Sequence, residues 1–256
     1  MHGLGNDFMV IDAITQPLKL EQLPIRLLSD RNRGVGFDQL LIIEPSSKAD
    51  FRCRIYNADA SEVENCGNGL RCVARYAQET GLFPQKAQRI ELNFGIVEIV
   101  IEDYERIRVN MGLPTAACQT LNLTVDGVNK EVLSLALGNP HAILRVDAIK
   151  QTPVDSWSTQ ISNQPAFPEG VNVGFMEIVD RSHIRLRTNE RGVGETLACG
   201  TNACSAVIAG IGKGWLEKSV SVEVACGRMQ IDWGGEGEPV FMTGPAVRVF
   251  WGELEV

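Results

Sequence analysis

Two cysteines in similar settings are the residues of this 256-residue chain whose types and spacing best suit chemistry. Cys66 is followed by Gly-Asn-Gly and an amphipathic run, and Cys199 by Gly-Thr-Asn and an apolar run that extends to Ile211. The spacing of apolar residues predicts a helix after each cysteine, and Gly200 or Thr201 could cap the second one. A helix N-terminus favours a thiolate over a thiol and also favours a bound carboxylate.

The two cysteines belong to an internal repeat. They lie 133 positions apart, about half the chain, and an offset of 132 aligns IELNFG with VEVACG. A repeat of this length indicates a duplicated domain. Two similar halves that face each other would present one cysteine from each side of a cleft. The same 133-residue offset aligns Asn6 with Asn139, Gln39 with Asn172, Asn57 with Glu190, and Gly67 with Gly200.

The predicted elements favour an α+β fold. Each half contains about seven or eight strand-like runs and two helices, including Leu20–Arg31 in the first half and Val154–Ile161 in the second. Strands outnumber helices too heavily for alternating βαβ units, so we expect two pseudo-symmetric domains, each a β-barrel-like sheet wrapped around a central helix. The expected boundaries are residues 1–116 and 117–245, with a C-terminal strand over 246–256 that packs back onto the first domain.

The composition excludes several classes of function. The net charge of -8 and the pI near 5.0 leave no basic stripe for nucleic acid. No apolar stretch reaches the roughly 18 residues that span a bilayer, and the N-terminus lacks a basic region followed by an apolar core. We therefore expect a cytoplasmic protein with neither a nucleic acid nor a membrane as partner.

Metal and nucleotide sites are not predicted either. The three histidines, His2, His141 and His183, lack the spacing of zinc ligands. GIGKGW, which begins at Gly210, ends a helix and lacks the Gly-Lys-Ser/Thr of a phosphate loop. Seven cysteines, an odd number, do not form a secreted disulfide framework, and most should be free thiols. Five of them are interpreted as core residues: Cys53, Cys72, Cys118, Cys204 and Cys226.

Two equivalent thiols suit a reaction with mirror-image halves. Nucleophilic catalysis would use one cysteine beside a base and leave the second unexplained, and a disulfide oxidoreductase would carry Cys-x-x-Cys, which this chain lacks. Removal of a proton from one face of a carbon and return of a proton to the other face uses both thiols. This pattern predicts a two-base racemase or epimerase without a cofactor, in which both helix N-termini stabilise the substrate carboxylate.

The motifs MHGLGNDF, GVGFDQLL, NADASEVENCGNGLRC, GNPH, NVGF and ERGVGETLACGTNAC resemble the diaminopimelate epimerase family in order and over essentially the whole chain. The resemblance implies pyridoxal-independent interconversion of LL- and meso-2,6-diaminopimelate, in the bacterial route to lysine and peptidoglycan, by a homodimer. It implies that Cys66 and Cys199 are the acid and base, tuned by His141 and Glu190. The implied substrate-binding residues are Asn6, Gln39, Asn57, Gly67, Asn68, Asn139, Asn172, Glu190, Arg191, Gly200 and Thr201.

Two alternatives and two departures qualify this prediction. The alternatives are a proline or hydroxyproline racemase and a non-catalytic binding protein of the same duplicated fold. Arg191 can pair with a distal carboxylate and Glu190 with an ammonium group, which a one-ended substrate would not need. The family normally has residues ahead of HGLGNDF, so we expect a shortened first strand or a late start. Asn202 stands where the family commonly has a glycine, and because asparagine tolerates left-handed backbone geometry we expect little effect of this replacement. Phe250 is a candidate residue of the dimer interface.

Overall fold

The computed structural model describes residues 1–16 and 18–254. The chain divides into two compact units. Unit 1 comprises Met1–Val109 and the C-terminal segment that begins at Gly244, and unit 2 comprises Asn110–Thr243. The segment from Gly244 returns to unit 1, where Val247 forms an antiparallel bridge with His2.

Unit 1 contains two α-helices, α1 (Ile25–Ser29) and α2 (Gly67–Glu79), and a sheet. The strands are β1 (His2–Gly3), β2 (Asn6–Asp12), β3 (Gln39–Glu44), β4 (Phe51–Asn57), β5 (Glu62–Val63), β6 (Ala87–Leu92), β7 (Gly95–Ile101) and β8 (Ile107–Gly112). Only the first three residues of β8 lie in unit 1.

Unit 2 contains the helices α3 (Val154–Ser162) and α4 (Gly200–Gly212). Its strands are longer at the start, where two ten-residue strands pair as a hairpin. The strands are β9 (Ala116–Val125), β10 (Val128–Leu137), β11 (Asn139–Arg145), β12 (Asn172–Asp180), β13 (His183–Glu190), β14 (Gly194–Thr196), β15 (Ser219–Val224), β16 (Gly227–Trp233) and β17 (Val240–Gly244).

The two units share one strand topology. In unit 1, β2 and β3 are parallel, β3 and β4 antiparallel, and β4 and β6 parallel; the last three strands, β6 to β8, pair antiparallel. In unit 2, β11 to β13 and β15 to β17 repeat these pairings in the same order. The register also repeats, because Phe8 lies opposite Gln39 and His141 opposite Asn172. The predicted duplication is thus confirmed.

Each unit packs its sheet around one helix. α2 contacts β1, β2, β3 and β7, and α4 contacts β9 to β13 and β16. Ten of the thirteen residues of α4 are buried, as its apolar sequence predicts for a helix enclosed by strands. The segment that follows α4 packs closely against the helix at Gly210, where a Cβ would lie 2.3 Å from Leu216 Cδ1. The α+β fold with a central helix in each unit is therefore confirmed.

Two predicted elements differ in the structure. The single helix expected over 20–31 is a 3-10 turn at Leu20–Gln22 followed by α1, because Pro24 lies between them and cannot occupy a helix interior. The C-terminal strand expected over 246–256 is wrong for residues 246–254, which form only the bridge at Val247; residues 255 and 256 lie outside the described part.

The cysteine prediction is wrong at two positions. Cys53, Cys72 and Cys204 are buried, whereas Cys118 and Cys226 are exposed. Cys118 lies on β9, where six of the first seven residues are exposed. Cys226 lies in the turn between β15 and β16. Within the described residues, no helix combines the length and apolar character needed to cross a membrane.

Candidate active site

Cys66 lies at the predicted start of α2, where it is the N-cap residue with extended backbone angles of φ -150° and ψ 98°. Its thiol donates a hydrogen bond to Asn6 Oδ1 at 3.7 Å, and Asn68 Nδ2 donates to the same oxygen at 3.3 Å. Asn6 is itself held, because its Nδ2 donates to Asp38 Oδ2 at 2.9 Å. The half-buried thiol therefore contacts the Asn6 amide, which Asp38 and Asn68 hold in place.

Arg71 supports this first turn and was not among the predicted site residues. Its side chain is fully buried and donates from Nη2 to Asn68 Oδ1 and from Nε to the Pro245 carbonyl, both at 3.0 Å. Gly244 makes room for the guanidinium, since a Cβ there would lie 3.3 Å from Arg71 Cζ. The available signal was its place in GNGLR, three residues after Asn68 on the same helix face.

Gln39 and Asn57 form a second polar pair in unit 1. They lie opposite each other on β3 and β4, and Gln39 Nε2 donates to Asn57 Oδ1 at 3.0 Å. Asn57 Nδ2 donates in turn to Ser61 Oγ at 3.1 Å. Gln39 Oε1 is buried and accepts no hydrogen bond from any described residue. A buried carbonyl oxygen without a donor indicates a place for a ligand N–H or a water molecule.

Cys199 is the N-cap residue of α4, with φ -120° and ψ 113°, and is 7% exposed. Burial, and then the negative charge of Glu190, raise the pKa of its thiol well above the usual value. The Thr201 hydroxyl, 3.5 Å from the sulfur, and the Asn202 backbone N–H act in the opposite direction but are outweighed. The helix start alone therefore does not ionise this cysteine as its position suggested, because burial dominates.

Glu190 ends β13 beside the Cys199 thiol. Thr196 Oγ1 donates to Glu190 Oε1 at 2.6 Å, which fixes the carboxylate from the neighbouring strand β14. The negative charge of this carboxylate is close enough to the thiol to raise its pKa.

Arg191 and Asn172 meet at the ends of β13 and β12. The Arg191 backbone N–H donates to Asn172 Oδ1 at 2.9 Å, and its Nη1 donates to the Glu169 carbonyl at 3.2 Å. Gly170 has a positive φ of +75°, and a Cβ there would lie 3.2 Å from Arg191 Cδ. The loop before β12 therefore orients an exposed guanidinium whose remaining N–H groups can bind an anion.

His141 lies fully buried on β11, and both of its ring nitrogens are hydrogen bonded. Nε2 lies 2.8 Å from Asn139 Oδ1, and Asn202 Nδ2 lies 3.1 Å from Nδ1. Burial lowers the pKa of the imidazole to about 3, so His141 is neutral at pH 7. Both ring nitrogens are therefore hydrogen bonded to asparagine amides.

The structure assembles each half of the predicted site within its own unit. Burial also raises the pKa of the Cys72 thiol to about 12 and raises that of the Cys53 thiol, neither of which stands at a helix start. Within the described range, no three His, Cys, Asp or Glu side chains group as metal ligands would. The predicted residues lie in unit 1 at Asn6, Gln39, Asn57, Cys66, Gly67 and Asn68, and in unit 2 at Asn139, His141, Asn172, Glu190, Arg191, Cys199, Gly200 and Thr201.

Asn202 does not adopt the left-handed geometry that its replacement of a glycine suggested. It lies inside α4 and is fully buried, and the described non-glycine residues with positive φ are Leu4, Ala60 and Asp126. Its side chain, which has no counterpart in a glycine, joins His141 to the helix.

Comparisons with known proteins find relatives of this chain by sequence and by fold. A diaminopimelate epimerase from Ectopseudomonas mendocina (strain ymp) is 46% identical over 269 residues, covering 100% of this chain and 98% of the relative. A phenazine biosynthesis protein of the PhzF family from Bacillus anthracis has the same fold, with a TM-score of 0.76, 19% identity and coverage of 100% and 95%.

A hydroxyproline epimerase from Agrobacterium vitis also shares the fold, with a TM-score of 0.68, 17% identity and coverage of 95% of this chain and 87% of that one. The sequence model described as diaminopimelate epimerase matches residues 1–117 and 133–249. Because this match covers most of the chain and the full-length relative is 46% identical, the chain belongs to the diaminopimelate epimerase family.

Proposed function

We propose that this chain interconverts LL- and meso-2,6-diaminopimelate without pyridoxal phosphate, with Cys66 and Cys199 as its two acid–base groups. As a member of the family, it is an isomerase of the epimerase type. The observation that carries the mechanism is that each unit presents one cysteine at the N-cap of its central helix. The product feeds lysine and peptidoglycan precursor synthesis.

The proton balance of the reaction uses one thiolate and one thiol. The Cα–H bond breaks as its proton passes to the thiolate sulfur, and the electron pair is delocalised into the adjacent carboxylate. The other thiol then gives its proton to the opposite face of Cα, which inverts the centre. After turnover the roles of the two sulfurs are exchanged, so the same groups catalyse the reverse reaction.

The reacting carboxylate is held by the first turns of α2 and α4. Gly67 and Asn68 begin one helix, and Gly200 and Thr201 begin the other. The N–H groups of a helix's first turn have no partner within the helix and point toward its N-terminus. They stabilise the negative charge that grows on the carboxylate as Cα loses its proton.

The distal amino acid end is recognised by polar groups that lie outside the two helix starts. Arg191 offers a forked guanidinium to the distal carboxylate, and its orientation is set by Asn172 and the Glu169 carbonyl. Asn6, Gln39, Asn57 and Asn139 supply amide groups, and the unpaired Gln39 Oε1 can accept from an ammonium group. A substrate with one amino acid end would have no use for this second set.

Glu190 primes Cys199. The Glu190 carboxylate lies beside this thiol, and the thiol, with its raised pKa, is protonated in the free protein. Transfer of that proton to Glu190 generates the thiolate when Cys199 acts as the base. Glu190 is therefore proposed as the group that tunes this thiol directly, whereas His141 acts through asparagine amides.

We also propose that the chain works as a cytoplasmic homodimer. Three consecutive apolar residues near the C-terminus are exposed: Val249 at 63%, Phe250 at 65% and Trp251 at 80%. Burial of such a patch against a second copy would remove it from water. Phe250→Asp should shift the molar mass measured by light scattering from dimer toward monomer; a monomeric wild-type protein would refute this part.

The test of the function is direct. Purified protein is incubated with LL-diaminopimelate without pyridoxal phosphate, and the meso isomer is measured by chiral chromatography. Parallel incubations with L-proline and trans-4-hydroxy-L-proline test the racemase alternative, because the hydroxyproline epimerase has the same fold. Conversion of diaminopimelate alone supports the proposal, whereas conversion of proline substrates, or of none, refutes it.

A further inference from the structure

At the third position of α4, Asn202 takes part in a buried polar network, whereas the corresponding position of α2 is packed by apolar side chains. At the 133-residue offset of the repeat, Phe8, Leu41 and Gly69 of unit 1 correspond to His141, Gly174 and Asn202 of unit 2. In unit 1 the strand supplies the bulk, since a Cβ at Gly69 would lie 3.1 Å from Leu41 Cδ2 and 3.3 Å from Phe8 Cε1. At Gly69 the helix is therefore packed by apolar groups.

In unit 2 the bulk lies on the helix instead. A Cβ at Gly174 would lie 2.2 Å from Asn202 Oδ1 and 2.8 Å from Ile143 Cδ1, so only glycine leaves room for the Asn202 amide. Gly174 and Asn202 have thus exchanged the small and the large residue relative to Leu41 and Gly69. The exchange replaces an apolar contact by an amide that is fully buried and hydrogen bonded.

The hydrogen bonds of this amide run in one direction. Thr188 Oγ1 donates to Asn202 Oδ1 at 3.1 Å, and Asn202 Nδ2 lies 3.1 Å from His141 Nδ1. Because an amide NH2 group only donates, Nδ1 must accept and the imidazole proton must sit on Nε2. Nε2 then donates to Asn139 Oδ1 at 2.8 Å. The Asn139 Nδ2 group finds no acceptor among the described residues and is left as a donor.

We propose that Asn202 is a positioning residue that, through the Nε2–H tautomer of His141, holds the Asn139 amide with its NH2 group toward the substrate. This inference rests on the proposed function, in which Asn139 binds the substrate. It adds a residue, Asn202, that stands where the family resemblance leads one to expect a glycine. Gly174 leaves the space that the Asn202 amide occupies, and the Thr188 hydroxyl donates a hydrogen bond to its oxygen.

The direct readout is the imidazole of His141, one of only three histidines. With 15N-labelled histidine, the inference predicts that NMR shows a protonated Nε2 and a bare Nδ1 for His141 between pH 6 and 8. Asn202→Asp replaces the donor by an acceptor of the same shape, so the proton should appear on Nδ1. The Km for diaminopimelate should rise about tenfold, with a smaller change in kcat, because Asn139 turns its oxygen outward.

A second pair of variants tests the contact itself and remains available if the Asp variant fails to fold. Gly174→Ala should displace the Asn202 amide, disturb the His141 tautomer and raise Km, whereas Gly174→Ala should have a much smaller effect when Asn202→Gly is already present. The matched control is Ser205→Ala, on the next turn of α4, whose buried hydroxyl has no partner among the described residues. It should leave the spectrum and both kinetic constants unchanged.

The outcomes separate this inference from the proposed function. A wild-type His141 with its proton on Nδ1, or a wild-type Km in Asn202→Asp, would overturn the inference even if the protein epimerises diaminopimelate. Absence of epimerisation by the wild-type protein would overturn the proposed function whatever the tautomer of His141.

Discussion

The two helix starts share one backbone frame but stabilise it with different side chains. Both cysteines are N-cap residues in extended conformation. In unit 1, the first turn of α2 is held by the buried guanidinium of Arg71, which donates a hydrogen bond to Asn68. The equivalent position in unit 2 is Cys204, and there the fixing group is Asn202 with His141. Duplication has preserved the geometry of the two thiols while substitution has made their surroundings different.

The difference extends to the thiols themselves. Cys66 is half-buried beside the Asn6 amide, whereas Cys199 is buried against the Glu190 carboxylate. LL- and meso-diaminopimelate differ at one of two similar ends, so an enzyme that acts on one end must distinguish them. We propose that the unequal surroundings of the two equivalent cysteines supply that distinction.

The largest effect is expected from the cysteines. Cys66→Ala and Cys199→Ala should each lower kcat by at least about 10³-fold, since each removes one of two proton-transfer groups. Chiral chromatography of diaminopimelate measures this loss. Cys118→Ala, which changes an exposed cysteine on β9, is the control and should retain full activity. Epimerisation that survives in both active-site variants would remove the two-thiol mechanism.

Loss of the anchor of unit 1 should reduce stability. Arg71→Met leaves Asn68 Oδ1 and the Pro245 carbonyl without the donors they have now, and the free energy of unfolding should fall by about 3 kcal/mol. Cys204→Ala, at the equivalent position of unit 2, should cost only about 1 kcal/mol. Urea unfolding followed by circular dichroism compares the two, and equal losses would contradict the different anchoring of the units.

Glu190→Gln separates the two thiols chemically. We expect kcat to fall about 10²-fold, because the local base for Cys199 is lost. The negative charge of Glu190 raises the pKa of Cys199, so its removal should lower that pKa. Alkylation of the Cys199 peptide by iodoacetamide, mapped by mass spectrometry, should therefore reach half its maximal rate at a lower pH. Glu195→Gln, which changes the salt-bridge partner of Arg187 nearby, is the control; an unshifted profile in Glu190→Gln would count against the contact.

The effect that is smallest near pH 7 concerns the buried histidine and grows only as the pH falls. Burial lowers the pKa of His141 from 6.5 to about 3, so below about pH 6.5 the unfolded chain binds a proton that the folded chain does not. Stability from this group is present above that pH and is lost as the pH falls toward 3, by up to about 1.4 kcal/mol per pH unit. His141→Phe, which copies Phe8 of unit 1, should flatten the curve of unfolding free energy against pH, and parallel curves would contradict this.

The sequence predicted the frame of both half-sites because repetition and helix periodicity are local signals. The 133-residue offset pairs the two cysteines and aligns Asn6 with Asn139, and the apolar spacing after each cysteine predicts a helix start there. Periodicity does not report two other features. The division of the predicted helix at Pro24 depends on local sterics, and the bridge that the C-terminal segment forms in place of a strand depends on tertiary pairing.

Side-chain partners were harder to predict. Arg71 looks like an ordinary polar position of an amphipathic helix, and its burial depends on space left by Gly3 and Gly244, far apart in the sequence. The backbone preference of asparagine suggests left-handed geometry at Asn202, whereas the structure places its amide on α4 in the space left by Gly174 of β12. The raised pKa of Cys199 likewise depends on burial by the whole unit, which a helix-start argument leaves out.

The most direct test of the two-thiol account is the fate of the α-hydrogen in heavy water. LL-diaminopimelate is incubated with the protein in D2O, the reaction is stopped at low conversion, and both isomers are analysed by mass spectrometry. Because the thiol that removes the proton is not the one that returns it, the account predicts one deuterium in each new meso molecule and none in the remaining LL substrate. Meso product that keeps the original hydrogen, or deuterium that enters LL substrate before inversion, would contradict it.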